Sequence, residues 1–327
     1  MALQFIFGPS GSGKSYELYQ SVIRESMEHP EQKFLVLVPE QFTMQTQKDL
    51  VSMHPRRGIM NIDVLSFGRM AYRVFEETGG GNLPVLDDEG KNLILRKIAG
   101  DYEDKLRILK GNMKKLGYIS EVKSVISEFT QYDIGEEEIE KVMESAGESS
   151  RLYYKLGDLK ILYQGFQEYL ESRYITKEEL LDVLSREVPN SEMLKNSTVV
   201  LDGFTGFTPV QNRLLLELLK TCRKVCVTVT IDEREDPFTY RHPYQLFALS
   251  KHMTSTLTEL AKQAGIQILD PIRLFDMPVR RFRDNPPMAF LERNLFRYYK
   301  KDSAGKSTYQ GEQKAVSLHV ARNPREE

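Results

Sequence analysis

The sequence has no tryptophan, only two cysteines and only five histidines among its 327 residues. The two cysteines, Cys222 and Cys226, form neither a zinc-binding pattern nor a disulfide framework, so we expect buried thiols. Acidic and basic side chains nearly balance, with 47 of the former, 45 of the latter and a net charge of −2. A nucleic-acid site would therefore have to be a local patch, because the whole molecule offers no net attraction to phosphates.

Long apolar segments are also missing. No run of about 18 apolar residues exists, and no signal-peptide pattern precedes the first motif. Hydrophobic residues make up 40% of the chain and charged residues 28%, which is ordinary for a soluble globular protein with a sizeable core. A cytoplasmic protein without membrane association is therefore expected, and the length favours about two domains.

The motif around which the sequence is organised lies near its start. Residues 8–15 read Gly-Pro-Ser-Gly-Ser-Gly-Lys-Ser and match the pattern G-x-x-x-x-G-K-S. An apolar run over 3–7 precedes the motif and a helix-compatible run over 16–27 follows it, which is the strand–loop–helix context of a phosphate-binding P-loop. An ordinary glycine-rich turn is the alternative, and the agreement of motif and flanks argues against it.

A P-loop binds a nucleoside triphosphate with Mg²⁺, and each residue type has a chemical reason. Glycines let successive backbone N–H groups turn towards the polyphosphate, and the helix that starts near Lys14 adds its positive dipole end. Lys14 is expected to reach the β- and γ-phosphates, and the Ser15 hydroxyl to ligate Mg²⁺. ATP and Mg²⁺ are the expected cofactors, although nothing in the motif selects adenine. The predicted cofactor-binding residues are Gly8, Gly11, Ser12, Gly13, Lys14, Ser15 and Asp202, with Ser15 and Asp202 as the metal ligands.

The chain reads as α/β at both ends and as helical in the middle. Buried parallel strands are predicted at 2–7, 33–38, 59–65, 198–201, 224–231 and 266–269. Residues 81–191 show helix-type spacing instead, most clearly over 149–174. We therefore predict a P-loop parallel sheet formed by residues 1–80 and 192–327, with 81–191 as a helical insertion. The elements predicted after the sheet are a connector at 271–287, a helix at 288–299 and a last strand at 315–320.

Asp202 follows a short buried strand and is the predicted Walker B acid, which would hold Mg²⁺ or its water opposite Ser15. We expect Ser15 and Asp202 to meet at neighbouring strand tips of one sheet. In sequence 188 residues separate Lys14 from Asp202, and the helical block fills that interval. A compact GTPase or nucleotide kinase needs no such block, whereas DNA helicases of superfamily one carry one in their first motor domain.

Five segments together resemble one protein family. They are 5–15 (FIFGPSGSGKS), 34–47 (FLVLVPEQFTMQTQ), 64–75 (VLSFGRMAYRVF), 199–211 (VVLDGFTGFTPVQ) and 318–327 (LHVARNPREE). On these segments the chain is similar to the N-terminal part of the AddB/RexB subunit of bacterial AddAB helicase–nucleases, the functional counterparts of RecBCD. The resemblance implies a RecA-like fold, namely a superfamily-one 1A domain with a helical 1B insertion, in a fragment of a longer protein.

The resemblance also implies a role on DNA. In this family the subunit is a helicase-like scaffold that pairs with an AddA-type subunit, channels the 3′-ended single strand and recognises Chi sequences during double-strand-break repair. The family's nuclease domain and iron–sulfur cluster would lie beyond residue 327, and Cys222 and Cys226 are not the cluster ligands.

Seven residues of the family-like segments are carried over as contacts to single-stranded DNA. Aromatic faces stack on bases, while amide, hydroxyl and guanidinium groups contact base edges. Core packing against the sheet is the alternative role for the aromatic residues Phe67, Tyr72 and Phe204. The predicted DNA contacts are Gln41, Thr43, Phe67, Arg69, Tyr72, Phe204 and Phe207.

One position departs from the pattern of active superfamily-one motors. Such motors place a glutamate after the Walker B aspartate, and this sequence has Gly203. Without that carboxylate, and without arginines from a second motor domain, we expect weak or absent ATP hydrolysis and assign no catalytic residue. A working DNA motor, with Glu40 in place of the missing acid, is the alternative. A small-molecule P-loop kinase is disfavoured because no arginine-rich lid follows the core.

A second nucleic-acid candidate lies at 279–301, where basic and aromatic residues are interleaved. Phe290, Leu291, Leu295 and Tyr299 also share a helix face, so packing with flanking solvated charges is the favoured interpretation. A second Gly-Lys-Ser at 305–307 lacks the first glycine and a preceding strand, so no second P-loop is predicted there.

Overall fold

The computed structural model describes residues 1–81, 83–171, 173–296, 308–323 and 325–326. The strands in this part are β1 (Ala2–Gly8), β2 (Lys33–Leu37), β3 (Ile62–Leu65), β4 (Val85–Leu86), β5 (Ile175–Thr176), β6 (Ser197–Leu201), β7 (Lys224–Thr230), β8 (Gln267–Ile268) and β9 (Ile272–Arg273). The helices are α1 (Lys14–Glu28), α2 (Thr43–Met53), α3 (Phe67–Thr78), α4 (Asp88–Asp101), α5 (Leu116–Gln131), α6 (Glu136–Ala146), α7 (Arg151–Leu170), α8 (Glu179–Glu187), α9 (Glu192–Lys195), α10 (Pro209–Thr221), α11 (Ala248–Gln263) and α12 (Pro286–Asn294).

Within the described residues, seven of the strands form one parallel sheet in the order β3-β2-β6-β7-β1-β8, with β9 also pairing with β1. Apolar residues fill the central strands because helices cover both faces of a parallel sheet. The carboxyl ends of the strands meet at one edge, where such sheets bind ligands. The predicted α/β fold with a parallel P-loop sheet is confirmed.

Side chains of alternating strand positions build a separate core on each face. Leu3, Phe5 and Phe7 of β1 pack in the core shared with α3, α8, α10 and α11. Ile6 points the other way, into the core shared with α1 and α2. Cys222 and Cys226 are buried, one on each side, and burial raises the pKa of both thiols to about 12. The prediction of buried thiols is confirmed.

Two helices that follow sheet strands start at side-chain caps. The Ser66 hydroxyl accepts the backbone N–H of Arg69 at the start of α3. Thr208 and Gln211 form a reciprocal capping box at the start of α10, with Pro209 at the first helical position. Each cap satisfies backbone donors that a helix start leaves open, and so fixes the loop at the ligand edge of the sheet.

The middle of the chain has its own apolar core, built mainly by α4, α5 and α7. The strands β4 and β5 form a separate two-residue parallel ladder beside it. By contrast, Leu180 and Leu184 of α8 belong to the core of the main sheet, although α8 lies inside the range 81–191. The division into domains stays a prediction. No described helix is long and apolar enough to cross a membrane.

The predictions for the last fifty residues need correction. The stretch 271–287 is more than a connector, because it contains β9 and a 3₁₀ turn at Arg280–Phe282. The predicted helix at 288–299 runs instead over Pro286–Asn294, and residues 297–299 and the Gly-Lys-Ser at 305–307 lie outside the described residues. The predicted strand at 315–320 is wrong. Residues 315–320 pair with no strand in the described part of the chain, and Leu318 and Val320 are 89% and 82% exposed.

Candidate nucleotide-binding site

The P-loop joins the end of β1 to the start of α1, as its flanks predict. Gly11 and Gly13 adopt φ angles of +84° and +98°, which glycine reaches without the steric cost that a side chain brings. At Gly8 the requirement is space, because a Cβ there would lie 2.4 Å from Ser12 Oγ and 2.7 Å from the Leu274 carbonyl oxygen. The loop therefore requires glycine at positions 11 and 13 because of the backbone conformation, and at position 8 because a side chain has no space there.

Lys14 is folded back into the loop that it follows. Its Nζ donates hydrogen bonds of 3.0 Å to the Gly8 carbonyl and 2.9 Å to the Pro9 carbonyl. Burial lowers the pKa of Lys14 to about 8; the negative charge of Asp202 opposes this shift, and the positive charge of Arg281 adds to it. The ammonium group thus stands at the mouth of the loop, in a site that disfavours its charge until an anion arrives.

Asp202 lies at the tip of β6 and is buried. Its Oδ2 accepts the Tyr19 hydroxyl at 2.7 Å and its Oδ1 accepts the Thr228 hydroxyl at 2.6 Å. Burial, with the charge of Asp202 second, raises the pKa of the Tyr19 phenol, which therefore stays a proton donor. A carboxylate has about four lone-pair positions, so each oxygen retains room for a metal-bound water.

The prediction that Ser15 and Asp202 lie at the same edge of one sheet is confirmed, but the prediction that their strands are neighbours is wrong. Both residues follow parallel strands of one sheet, at the same edge. However, β7 lies between β1 and β6, so the strand tips are not adjacent, and it is Thr228 on β7 that contacts Asp202. Local sequence patterns do not encode the order of strands in a parallel sheet, which explains the error.

A polyphosphate with Mg²⁺ fits the residues of this loop. The Ser12 hydroxyl is buried and has no hydrogen-bond partner among the described residues, so a donor stands ready inside the loop. Lys14 is held there by two backbone carbonyl oxygens, which a phosphate oxygen can replace. Ser15 is exposed in the first turn of α1, the position from which a hydroxyl reaches a metal ion beside the phosphates.

Sequence reasoning missed two side chains of this site, Arg280 and Arg281. The 3₁₀ turn that contains them lies against the P-loop, and the Arg281 backbone N–H donates a 3.0 Å hydrogen bond to the Gly11 carbonyl. The Arg280 guanidinium lies 4.1 Å from the centroid of the Tyr16 ring. The basic and aromatic richness of 279–301 was a visible signal, but nothing in the sequence connects it with residues 11–16.

The predicted DNA contacts divide into a packed group and an exposed group. Phe67, Phe204 and Phe207 form one aromatic cluster, with ring centroids 5.2–6.3 Å apart. Phe67 is only 8% exposed and belongs to the sheet core, against which the other two rings pack.

The other four differ in exposure. Gln41, Arg69 and Tyr72 are exposed, and Tyr72 exposes 52% of its surface. Thr43 is buried and its hydroxyl donates to the Glu40 carbonyl oxygen. For all seven residues, contact with DNA stays a prediction.

Gly203, at the position of the expected glutamate, is exposed and has a φ angle of +79°. A backbone in this left-handed region is strained for residues with a Cβ. Position 203 therefore lacks a carboxylate and has a backbone conformation that glycine adopts without strain.

A parallel α/β sheet with a P-loop after its first strand and a buried acid at the tip of another defines a RecA-like P-loop domain. The chain belongs to the family described as "ADDB, N-terminal", whose profile matches residues 5–292.

Three curated relatives share a name that describes each as the B subunit of an ATP-dependent helicase/deoxyribonuclease. The protein of Lachnoclostridium phytofermentans is 44% identical over 99% of this chain and 28% of its own length. Those of Clostridium tetani and Caldanaerobacter subterraneus subsp. tengcongensis are 34% and 32% identical, over 91% and 99% of this chain and 26% and 27% of their own lengths. The chain thus spans about a quarter of the length of these relatives.

Proposed function

We propose that this chain is the helicase-like, nucleotide-binding N-terminal module of the AddB-type subunit of a bacterial ATP-dependent helicase–nuclease. The observation that carries the proposal is the P-loop of residues 8–15, with Lys14 turned into it and the buried Asp202 at the same sheet edge. Family membership and the relatives' shared name support the parent complex. We place its action in the cytoplasm, together with an AddA-type partner subunit, in double-strand-break processing.

The P-loop residues would hold ATP through backbone N–H groups, Lys14 and the Ser12 hydroxyl. Ser15 and a water on Asp202 would hold Mg²⁺, which neutralises phosphate charge when it is bound. Tyr19 and Thr228 orient the Asp202 carboxylate by donating hydroxyl hydrogen bonds to it. The chain's own residues thus supply binding and orientation.

We propose that turnover of the bound nucleotide is weak or absent. A glutamate after the Walker B aspartate would position the attacking water, and Gly203 has no side chain with which to do so. Bound ATP then acts as a structural or regulatory ligand of the larger complex.

We further propose that the ligand edge of the sheet borders a channel for single-stranded DNA. Gln41 is exposed in the 3₁₀ turn that follows β2, and Arg69 and Tyr72 are exposed in the first and second turns of α3, which follows β3. Their groups suit stacking and edge contacts. Phe67, Phe204 and Phe207 would shape the floor of this surface. Recognition of Chi and the iron–sulfur cluster belong, by resemblance, to the whole parent protein.

Calorimetric titration of this chain with Mg²⁺ and a non-hydrolysable ATP analogue tests the nucleotide site. We expect saturable binding by the wild type and loss of it in Lys14→Ala, with Lys33→Ala as a control lysine at the opposite end of a strand. Steady-state hydrolysis with and without single-stranded DNA tests the second part. Fast, DNA-stimulated turnover that disappears in Lys14→Ala would contradict weak hydrolysis.

The alternative function is a working DNA motor, and one observation favours it. Arg281 stands beside the P-loop, so an arginine is present without a second motor domain. Glu40, the first residue of the 3₁₀ turn after β2, is exposed at the same edge and is the candidate for the missing acid. Loss of DNA-stimulated turnover in Glu40→Gln would support this alternative.

A further inference from the structure

The 3₁₀ turn at Arg280–Phe282 contacts the P-loop and the first turn of α1 at two points. Val279, just before the turn, is buried to 1% exposure. The Arg281 N–H donates to the Gly11 carbonyl, and the Arg280 guanidinium lies over the Tyr16 ring. A cation over an aromatic ring within about 6 Å is attracted to it. This turn therefore has a defined position above the phosphate loop.

The fit between the turn and the loop is close. A Cβ on Gly11 would lie 2.8 Å from Arg281 Cβ, and a Cβ on Gly13 would lie 3.4 Å from Arg280 Cδ. The glycines of the loop thus make room for the two arginines as well as for its own backbone. Arg281 starts its side chain directly over Gly11, in the part of the loop that precedes Lys14.

The turn brings the positive charges of Arg280 and Arg281 to the loop that carries Lys14. Neither arginine forms an ion pair within the described part of the chain. Like charges at short distance are unfavourable. A polyphosphate bound between Lys14 and Arg281 would be attracted to both positive charges and would offset their mutual repulsion.

We propose that Arg281 is a ligand of the γ-phosphate, supplied in cis, and that Arg280 positions it by stacking on Tyr16. The proposal rests on the nucleotide site proposed above. In a P-loop the lysine serves the β- and γ-phosphates, and Arg281 lies against Gly11, three residues before Lys14. A guanidinium offers a planar fork of donors that matches two phosphate oxygens at once. Arg281 therefore distinguishes a triphosphate from a diphosphate.

The test measures the dissociation constants of this chain for a non-hydrolysable ATP analogue and for ADP, both with Mg²⁺. Arg281→Ala should weaken triphosphate binding by about ten- to a hundredfold, which is the value of a charged hydrogen bond. ADP binding should change by less than about threefold, because the lost contact is to the terminal phosphate. Arg283→Ala, at an exposed arginine of the same segment, is the matched control and should behave like the wild type.

The positioning role is tested at Tyr16. Tyr16→Leu removes the ring under Arg280 and should reduce the preference for triphosphate over diphosphate, whereas Tyr16→Phe keeps the ring and should keep the preference. Arg281→Lys keeps the charge and loses the fork, so an intermediate loss is expected. Circular dichroism melting of each variant shows whether it is folded.

The outcomes separate the two proposals. Equal triphosphate affinity in Arg281→Ala and the wild type would overturn the role of Arg281, and so would an equal loss for triphosphate and diphosphate. Either result leaves the nucleotide site intact if Lys14→Ala still abolishes binding. A wild type that binds neither nucleotide would overturn both proposals.

Discussion

The Tyr19 hydroxyl donates a 2.7 Å hydrogen bond to Oδ2 of Asp202, 183 residues away in the sequence. With the bond from Thr228 to Oδ1 of the same carboxylate, it connects α1, β6 and β7 through one buried acid. The helix that follows the glycine-rich loop is therefore connected to the end of β6 by side chains of the protein itself.

Tyr19→Phe is expected to destabilise the fold. The change removes one hydroxyl donor from a buried carboxylate, and a buried group that loses a partner costs about 1–3 kcal/mol. Urea unfolding measures this as a lower free energy of unfolding. Tyr132→Phe, at a tyrosine that is 56% exposed, is the control. Equal effects of the two changes would contradict the importance of the bond to Asp202.

Nucleotide affinity is expected to fall as pH rises above about 8. The pKa of Lys14 is lowered to about 8, chiefly by burial, and only the protonated amine attracts a phosphate. Above that pH, binding must first protonate Lys14, so affinity should decrease by about tenfold per pH unit. Titrations between pH 7 and 9.5 measure the slope. Lys14→Arg stays charged throughout, so whatever affinity it retains should not follow this slope. A flat wild-type profile would refute the prediction.

We expect a single substitution in the buried pair of Lys91 and Glu178 to destabilise the fold, and a double apolar substitution to be tolerated. Their side chains, 2% and 11% exposed, meet at 2.7 Å. Glu178→Gln leaves the Lys91 charge buried without its counter-ion and should cost about 3–5 kcal/mol of unfolding free energy. The double variant Lys91→Met with Glu178→Leu should recover most of that loss. Additive losses in the double variant would count against the pairing.

The contribution of the Lys91–Glu178 pair to the free energy of unfolding is expected to decrease at acidic pH. Burial alone would raise the pKa of Glu178, but the hydrogen bond and charge of Lys91 outweigh it and hold this pKa below its usual value of 4.5. A depressed folded-state pKa contributes stability above the unfolded value, and that contribution is lost as pH falls through the folded one. The difference in unfolding free energy between the wild type and Glu178→Gln should therefore shrink below about pH 4.5.

Substitutions at Phe67 and Tyr72 are expected to distinguish a role in core packing from a role in DNA binding. Phe67→Ala removes a core ring and should lower the unfolding free energy by about 3–5 kcal/mol. Tyr72→Ala should leave stability within about 0.5 kcal/mol and weaken single-stranded DNA binding by about five- to a hundredfold, the value of one stacked base. Tyr132→Ala is the matched surface control. Unchanged DNA affinity in Tyr72→Ala would remove this residue from the proposed channel.

Gly203→Ala is expected to cost about 1–2 kcal/mol because of backbone strain at φ +79°. Space is not the obstacle, since the new Cβ would lie 3.7 Å from Pro39 Cδ, an ordinary contact. Gly206→Ala in the same loop meets nothing within 4 Å and lies outside the left-handed region, so it should be nearly neutral. Chemical denaturation of the two variants compares them. Equal stability would show that the loop relaxes at 203.

Local patterns made much of this fold predictable. The apolar run before Gly8, the cap at Ser66 and the capping box at Thr208 each depend on a few neighbouring residues, and each is present in the structure. The parallel sheet follows from strands that are apolar throughout. Signals of this kind reach a few residues along the chain.

What the sequence did not disclose depends on contacts between distant segments. The pairing of β7 with β1, the turn at Arg280–Phe282 over the P-loop and the packing of Phe67 on Phe204 all join residues more than a hundred positions apart. The strand expected at 315–320 failed for the same reason, because alternation predicts a strand only where a partner edge is available.

During synthesis, β1 is made long before the strands with which it pairs. Its described pairing partners, β7, β8 and β9, all come after residue 223. At elongation rates of about 5–20 residues per second, the apolar strand that carries Phe5 and Phe7 would wait roughly ten to forty seconds for its first described partner. An unpaired apolar edge invites association with other chains. We therefore expect the nascent protein to need shielding by a chaperone during that interval, and the N-terminal strand to be its binding site.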